Sequence, residues 1–173
     1  MTSNADFLQQ YLSGNEPFVL SSGVTVQIPK YSLSFKRWGG DPIPNAYRKP
    51  IVEFDGNPLF AELAVLRMFQ QNGWDGVWVD SYGKKYRNGL PKVVEPVELP
   101  FDKEKIIASI RNESGRFGGC WDVFVWKDDR ILFLELKQKN EPIKDSQRGW
   151  LESSLELDYK PDNFALIEWH VET

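Results

Sequence analysis

Histidine and cysteine are almost absent from this chain, which contains one of each, His170 and Cys120. A single cysteine permits no internal disulfide, which is typical of proteins in a reducing compartment. The same two residues exclude a structural zinc site, because such a site needs four nitrogen or sulfur ligands. They also disfavour Ser/His/Asp and Cys/His catalysis. Any catalysis by this chain is therefore expected to use carboxylates and lysines, together with a hard cation.

Long apolar runs are also missing from the sequence. No run approaches the ~18 residues that a membrane span requires, and the first residues lack the basic-then-apolar layout of a signal peptide. We therefore expect a soluble, cytoplasmic protein with no membrane partner. Of the 173 residues, 41% are hydrophobic and 14% are aromatic, which is enough apolar surface for the core of one domain and excludes wholesale disorder.

The charges are unevenly distributed along the chain. Overall, 21 Lys and Arg residues against 25 Asp and Glu residues give a net charge of −4, which disfavours general binding to polyanions. Basic residues nevertheless cluster in 30–49 and 84–92, and acidic residues predominate from Trp150 onward. These clusters are either an ordinary solvated surface or two basic arms beside an acidic site that holds phosphates. On the second interpretation, the candidate nucleic-acid-binding residues are Lys36, Arg37, Lys84, Lys85, Arg87 and Arg148.

Apolar periodicity and turn residues predict an α/β domain. Helices are predicted over 4–13, ending at Gly14, and over 57–73, 102–114 and 145–157. Strands are predicted over 24–28, 31–35 as its hairpin partner, 74–80, 121–126, 131–136 and 164–169. An irregular loop is predicted over 38–50 and a basic loop over 83–92. This order predicts a mixed central sheet flanked by helices over 57–173, with 1–56 as a β-rich N-terminal extension packed on it.

Two predicted strands joined by a turn at 127–130 carry the residues with catalytic potential. If the strands pair symmetrically about the turn, Asp122 lies opposite Glu135, and two carboxylates face each other on neighbouring strands. Like charges in that position repel, so a bound Mg²⁺ or Mn²⁺ is the simplest compensation. The Lys137 side chain and the Leu136 carbonyl lie close to the same point.

A plain structural interpretation of these residues stays open beside the metal site. Asp122 is then a polar residue at the start of a strand, and Glu135 with Lys137 is a surface ion pair. Against this, Glu135 interrupts an apolar run, where a charge costs several kcal/mol unless it is compensated. The pattern therefore favours the metal site.

The same pattern resembles the PD-(D/E)XK nucleases, the restriction-endonuclease-like superfamily. It consists of Asp122 after two glycines, a hairpin, and the tripeptide Glu135-Leu136-Lys137. Gln147 and Trp150 then follow on a predicted helix. This is similar to the VRR-NUC branch, in which a helix bearing Q-x-x-W/F packs beside the Glu-x-Lys strand and a terminal strand follows. The resemblance covers about 57–170. Trp121 stands where the superfamily often has proline, and residues 1–56 match no family.

The resemblance implies a restriction-endonuclease-like core and a role for each matching residue. Asp122 and Glu135 would bind the metal together with the Leu136 carbonyl. Lys137 would orient or deprotonate the attacking water, and Gln147 would hold Lys137 or the phosphate. These roles together describe phosphodiester hydrolysis assisted by a bound cation.

Members of this superfamily often add a carboxylate from the first core helix, which here implies Glu62, with Glu53 and Asp55 as alternatives. The implied function is a Mg²⁺- or Mn²⁺-dependent DNA endonuclease in repair, recombination or phage- or defence-related processing. The alternatives are a catalytically silent nucleic-acid-binding or assembly module with the same fold, and a structural domain without a nucleic-acid partner. A small domain with one hairpin site usually needs a second copy or a fused domain to cut both strands, and a homodimer is expected.

Overall fold

The computed structural model describes residues 5–45, 47–116 and 118–173. Within these ranges the α-helices are α1 (Ala61–Gln71), α2 (Phe101–Ser114) and α3 (Asp145–Glu156). The strands are β1 (Leu12–Val19), β2 (Thr25–Arg37), β3 (Val52–Phe54), β4 (Asn57–Leu59), β5 (Asp75–Asp80), β6 (Lys85–Arg87), β7 (Val123–Lys127), β8 (Arg130–Gln138) and β9 (Phe164–Val171). Two short 3-10 helices cover Asp6–Tyr11 and Pro161–Asn163. None of the helices in these ranges has the length and apolar character to cross a membrane.

The strands form one mixed sheet. Its order is β4-β3-β2-β9-β8-β7-β5-β6, and β1 pairs with the first half of β2. The pairs β2–β9 and β8–β9 are parallel, while the other named pairs are antiparallel. The predicted mixed α/β architecture is therefore confirmed, and β9 lies inside the sheet between strands from the two halves of the chain.

Helices cover both faces of the sheet, because its central strands are apolar on both faces. One core contains Leu63 of α1 and Val123 of β7. The opposite core contains Ile107 of α2, Trp150 of α3 and Phe124 of β7. Val123 and Phe124 are neighbours in sequence but enter different cores, because successive side chains of a strand point to opposite faces. The molecule is thus a sheet between one helix and a pair of helices.

The β7–β8 hairpin has the predicted register. Trp126 pairs with Ile131, and Phe124 pairs with Phe133. The rings of Phe124 and Phe133 stack with their centroids 4.4 Å apart, which adds a specific aromatic contact to the buried area. Asp128 has a φ of 57° in the turn, a conformation that tight hairpin turns require. The local turn signal therefore sets the alignment of the two central strands.

The predicted organisation of residues 5–37 is wrong in two respects. Gly14 does not end a helix, because it lies in β1 beside a break in register, and the preceding helix is the 3-10 helix Asp6–Tyr11. The predicted hairpin of 24–28 and 31–35 is one continuous strand, β2, whose hairpin partner is β1. Pro29 does not interrupt β2, because pairing with β9 begins only at Lys30 and the missing N–H group lies outside that ladder. Residue 4 of the predicted helix lies outside the described residues.

Helix α1 begins later than predicted, at Ala61. Residues 57–59 form β4 instead, which pairs with β3 across the turn Asp55-Gly56. Both turn residues have a positive φ, 49° and 77°, as type I′ hairpin turns require, and Asp-Gly is a preferred sequence for such turns. The turn therefore decides the structure of 57–59, and the helix start predicted from Asn57-Pro58 is wrong.

The remaining predictions agree with the structure within a few residues. The predicted strands over 74–80, 131–136 and 164–169 and the helix over 145–157 are confirmed. Helix α2 begins at Phe101, so Asp102 lies in its first turn and the N-cap is Pro100. The predicted strand over 121–126 begins only at Val123, and the predicted basic loop contains the short strand β6. The division of the chain after residue 56 stays a prediction.

Candidate active site

A cavity of about 260 Å³ opens at the end of the sheet where β7 begins and β8 ends. The first turns of α1 and α3 meet there, since Glu62 and Gln147 belong to these turns and both line the cavity. The cavity contains all five predicted catalytic residues and the third predicted metal ligand, which are Glu62, Asp122, Glu135, Leu136, Lys137 and Gln147. The fold therefore brings these residues together from two strands and two helices.

Asp122 lies just beyond the paired part of the hairpin. The last pair is Val123 with Leu134, so Asp122 and Glu135 do not form the ladder pair that the register predicted. The backbone carbonyl of Asp122 accepts a hydrogen bond at 2.7 Å from an amide of β5. Its side-chain Oδ2 accepts a hydrogen bond from the amide of Leu136 at 3.0 Å. The Asp122 carboxylate is thus anchored to β8 one residue beyond Glu135, at the same cavity.

The segment before Asp122 packs closely on α3. Gly119 has a φ of 96°, and a Cβ atom there would overlap the Ser146 carbonyl. Trp121 is fully buried and donates its indole N–H to the carbonyl of Gln147 at 3.0 Å. Both contacts join the approach to Asp122 to the first turn of α3, so the two parts of the site are positioned together.

Glu135 is almost completely buried, with 1% of its surface exposed. Its Oε1 accepts a hydrogen bond from Gln147 Nε2 at 2.6 Å and lies 3.3 Å from Lys137 Nζ. Its Oε2 is also buried and has no hydrogen-bond partner among the described residues. A buried oxygen without a partner costs about 1–3 kcal/mol. The fold therefore leaves one carboxylate oxygen available for a donor or a cation.

Gln147 contacts Glu135 in the structure, and its contact with a phosphate stays a prediction. The resemblance assigned its side chain to Lys137 or to a phosphate, whereas its amide donates to Glu135. Its Oε1 accepts a hydrogen bond from the backbone amide of Lys144 at 2.8 Å, which caps the start of α3. Both ends of the Gln147 side-chain amide are therefore fixed, and the residue orients Glu135.

Lys49 belongs to the site although the sequence interpretation did not single it out. Its Nζ lies 2.5 Å from Glu62 Oε1, and both residues line the cavity. In the sequence, Lys49 contributes only to the excess of basic charge over 30–49, which identifies no single residue. The pair joins the loop 38–50 to the first turn of α1, and no local pattern predicts a contact of this kind.

The crowded carboxylates have altered acidities. Burial, followed by the charge of Glu62, raises the pKa of Asp122 to about 7. Burial and the charge of Asp122 raise the pKa of Glu135 well above its usual value, and Lys137 opposes this only in part. Burial lowers the pKa of Lys49, but the Glu62 carboxylate outweighs burial, and the net pKa is raised. The site therefore resists ionisation of its acids unless a cation compensates for their charge.

The oxygen donors at the cavity fit a hard divalent cation. Carboxylate and carbonyl oxygens are preferred by Mg²⁺ and Mn²⁺, and the unpartnered Glu135 Oε2 is one such donor. Asp122 and Leu136 line the same cavity. Over the described ranges, no three His, Cys, Asp or Glu side chains form a group that could hold a metal ion by themselves. A cation here would therefore also use water or backbone oxygens, as is usual for Mg²⁺.

No protein-family model matches the chain, and no curated protein matches it. The function is therefore inferred from the residues at the cavity and from the elements that position them.

Arg87, one of the predicted nucleic-acid-binding residues, takes part in an internal ion pair. Its Nε donates to Asp80 Oδ2 at 2.8 Å, and Asp80 is 1% exposed. The same carboxylate accepts hydrogen bonds from Tyr47 Oη at 2.5 Å and from the amide of Gly83 at 2.9 Å. This network ties the loop 38–50 to β5 and β6. The predicted phosphate contact of Arg87 would use only its remaining guanidinium nitrogens.

The other five basic candidates are exposed and lie on separate elements. Lys36 and Arg37 end β2, Lys84 and Lys85 belong to the β5–β6 hairpin, and Arg148 lies on α3. Their exposed positions suit contact with a large polyanion. None of the five contributes to the described lining of the acidic cavity, so their nucleic-acid contacts stay predictions.

The two alternatives to Glu62 lie away from the cavity lining. Glu53 belongs to β3, and Asp55 forms the turn after it. Asp55 Oδ2 accepts a hydrogen bond from the side-chain amide of Gln71. Of the three acids considered for a position beside the hairpin, Glu62 is the one that lines the cavity.

Proposed function

We propose that this protein is a Mg²⁺- or Mn²⁺-dependent nuclease that hydrolyses phosphodiester bonds in DNA. The observation that carries the proposal is the cavity shared by Asp122, Glu135 and Lys137, in which the buried Glu135 Oε2 has no partner among the described residues. The element order supports a PD-(D/E)XK core of the VRR-NUC type. Helix α3 carries Gln147 and Trp150, both of which contact β8, and β9 follows.

The proposed cation would be held by Asp122, Glu135 and the Leu136 carbonyl. The amide of Leu136 donates to Asp122, so this edge of β8 faces the aspartate. The carbonyl of a strand residue lies on the same edge as its amide, which directs the Leu136 carbonyl to the same side. When bound, such an ion neutralises phosphate oxygens and lowers the pKa of a coordinated water.

In the proposed reaction, Lys137 acts on the attacking water. Its Nζ lies 3.3 Å from Glu135 Oε1, and the residue is 7% exposed at the cavity wall. An ammonium in this position orients a water molecule and stabilises the negative charge that develops on the phosphate in the transition state. Gln147 supports this arrangement by holding the Glu135 carboxylate in place.

The exposed basic residues would supply contacts to the DNA backbone. Lys36, Arg37, Lys84, Lys85 and Arg148 are all exposed, and contacts of this kind position a duplex without reading its sequence. Each phosphate that a basic side chain neutralises makes binding weaker at higher salt. DNA binding by this protein is therefore expected to fall steeply as the salt concentration rises.

Cleavage of plasmid DNA in Mg²⁺ or Mn²⁺ tests the proposal. We expect Glu135→Gln and Lys137→Met each to lower the cleavage rate by at least about 100-fold, because each removes a charged group from the reacting centre. Glu98→Gln is the matched control, since Glu98 is exposed and lies outside the cavity lining, and it should keep the wild-type rate. Equal rates in the wild type and both site variants would contradict the proposal and indicate a contaminating nuclease.

A catalytically silent nucleic-acid-binding or assembly module with the same fold is the second candidate function. It is favoured by the finding that the described ranges contain no group of three His, Cys, Asp or Glu side chains suited to a metal ion. On this alternative, the protein shifts DNA in a gel at about 50 mM salt and releases it at about 200 mM. Neither the wild type nor Glu135→Gln would then cleave DNA with either metal.

A further inference from the structure

Lys49 and Glu62 form a direct ion pair in the lining of the acidic cavity. Lys49 Nζ lies 2.5 Å from Glu62 Oε1, and Glu62 is 7% exposed. The two residues are 13 positions apart and come from different elements. The ammonium therefore occupies one oxygen of Glu62 and compensates the charge of its carboxylate.

The Lys49 backbone and its ammonium each make further contacts. The backbone carbonyl of Lys49 accepts a hydrogen bond from Asn45 Nδ2 at 2.7 Å, and the following Pro50 restricts the Lys49 backbone. The Nζ atom lies 5.9 Å from the centroid of the Trp78 ring, a position in which the ring attracts a cation. Two residues earlier, the hydroxyl of Tyr47 is bonded to the end of β5. Lys49 is therefore a fixed part of the cavity wall.

This ion pair sets the charge that the cavity offers to a cation. The buried or half-buried acids are Glu62, Asp122 and Glu135, and the lysines beside them are Lys49 and Lys137. Glu141 and Lys144 lie exposed at the rim of the same cavity, where solvent screens their opposite charges. Because Lys49 neutralises Glu62, the two other carboxylates remain, which suffice for one divalent ion completed by waters. A second ion at the ~3.5–4 Å spacing of two-metal sites would need a further carboxylate.

We infer that Lys49 is the resident counter-ion of Glu62 and limits the cavity to one divalent cation, bound through Asp122 and Glu135. Lys49 is thus a positioning residue, which acts by compensating the charge of the carboxylate that a second ion would need. The inference rests on the proposed metal site but concerns the number of ions that the site accepts. Removing the ammonium frees Glu62 and makes the cavity more negative by one charge.

Titration of the full-length chain with Mn²⁺, followed by the paramagnetic resonance of free Mn²⁺, measures the stoichiometry without a substrate. We expect one ion per chain for the wild type and for Lys49→Arg, which keeps the charge. Lys49→Met, which keeps the side-chain stem without the charge, should bind two. The matched control is Lys160→Met, at an exposed lysine outside the cavity lining, and it should bind one.

The double variant Lys49→Met/Glu62→Gln removes the ion pair without changing the net charge. It should bind one ion with an affinity within about threefold of the wild type, because neither residue is a ligand. Two ions per wild-type chain, one ion in Lys49→Met, or loss of Mn²⁺ binding in the double variant would each overturn the inference. If circular dichroism shows that Lys49→Met does not fold, the numbers of Mn²⁺ ions bound by the wild type and by the double variant test the inference.

The outcomes also separate this inference from the proposed nuclease. A wild type that binds one Mn²⁺ but cleaves no DNA refutes the nuclease, and two ions in Lys49→Met would still support the assignment of Lys49. A wild type that cleaves DNA and binds two ions supports the nuclease and overturns the role of Lys49. A wild type that binds no Mn²⁺ overturns both.

Discussion

The Glu135 carboxylate is satisfied on one oxygen and left open on the other. Oε1 receives both the Gln147 amide and the Lys137 ammonium, while Oε2 is buried without a partner among the described residues. Asp122, in contrast, receives its hydrogen bond from a backbone amide. Burial of groups with raised pKa values is costly for stability and is concentrated at functional sites. At the scale of single residues, the open oxygen is the feature that most directly favours a bound cation.

The acidity of Asp122 predicts a stability that depends on pH. The pKa of Asp122 is about 7 in the folded protein against 3.8 for an ordinary aspartate, so the folded state binds more protons than the unfolded state between these values. We therefore expect the contribution of Asp122 to the free energy of unfolding to be fully present below about pH 4 and to be lost as the pH rises through about 7. Asp122→Asn should flatten this dependence and raise the melting temperature at about pH 8, because it removes a buried charge.

Thermal unfolding between about pH 4 and pH 8 measures this effect. Glu98→Gln, at an exposed position, should keep the wild-type dependence on pH. The same slope in Asp122→Asn as in the wild type would show that Asp122 ionises normally in the folded protein. The prediction is made for protein without added metal, since a bound cation would favour the ionised form.

At the scale of elements, the site depends on the close packing of the segment 118–122 against the first turn of α3. Gly119 permits this approach through its positive φ, and Trp121 donates a hydrogen bond to the α3 backbone. Asp122 follows directly, while Gln147 projects from the same turn of α3 towards Glu135. The helix and the hairpin therefore hold the candidate catalytic residues as one unit.

Replacement of Gly119 tests this packing. Gly119→Ala adds a Cβ atom that overlaps the Ser146 carbonyl, on a backbone with a φ of 96°. We expect a loss of at least about 2 kcal/mol in the free energy of unfolding and a loss of DNA cleavage, because the segment that carries Asp122 must move. Gly118→Ala is the matched control, since no atom lies within 4 Å of its Cβ position. Equal urea unfolding curves for the two variants would contradict the prediction.

Asp80 joins three elements, and its removal should weaken all of them. Its buried carboxylate binds Arg87, Tyr47 and the amide of Gly83. We expect Asp80→Ala to lower the free energy of unfolding by about 3 kcal/mol, because it leaves a largely buried guanidinium unpaired. Asp129→Ala, at an exposed position in the β7–β8 turn, should change it by less than about 0.5 kcal/mol. Urea denaturation measures both values, and equal midpoints would disprove the structural role of Asp80.

Elements with strong local signals could be predicted from the sequence, and elements set by distant pairing could not. The register of β7 and β8 follows from alternation and a short turn, and it is confirmed. The sequence predicts two strands where the structure has the single strand β2. Its pairing with β9, which has no local signal, begins at Lys30 inside the predicted break. The Asp55-Gly56 turn has a recognisable hairpin signal, but Asn57-Pro58 directly after it is typical of a helix start, so the two local signals conflict.

The residues of the candidate site show the same difference between local signals and distant contacts. Asp122, Glu135 and Lys137 belong to one hairpin and its flanks, and Gln147 lies on the next helix, so their meeting at one cavity could be predicted from spacing. Lys49 reaches the cavity from an irregular loop. Such a loop has no hydrophobic periodicity or motif spacing from which the direction of the Lys49 side chain could be predicted. The catalytic roles of all these residues stay predictions until cleavage is measured.

On the scale of the whole molecule, the candidate catalytic groups lie at one end of the sheet and form a single cavity. One such centre cuts one strand of a duplex at a time. We therefore propose that two copies of the chain act together as a homodimer. Light scattering is expected to give a mass near twice the 20.0 kDa of one chain. A single-chain mass at the concentration of the cleavage assay would contradict the dimer, and nicked rather than linear plasmid would then be the expected product.

The position of β9 between β2 and β8 affects how the protein is made in the cell. β2 (Thr25–Arg37) leaves the ribosome early, but its parallel neighbour β9 (Phe164–Val171) follows only after β8 and α3 have been synthesised. Until then β2 and β8 each expose an open strand edge, which can pair with other nascent chains. β2 and β8 can therefore both pair with β9 only after residue 171 has been synthesised. Chaperones that cover these strand edges during synthesis should raise the yield of folded protein.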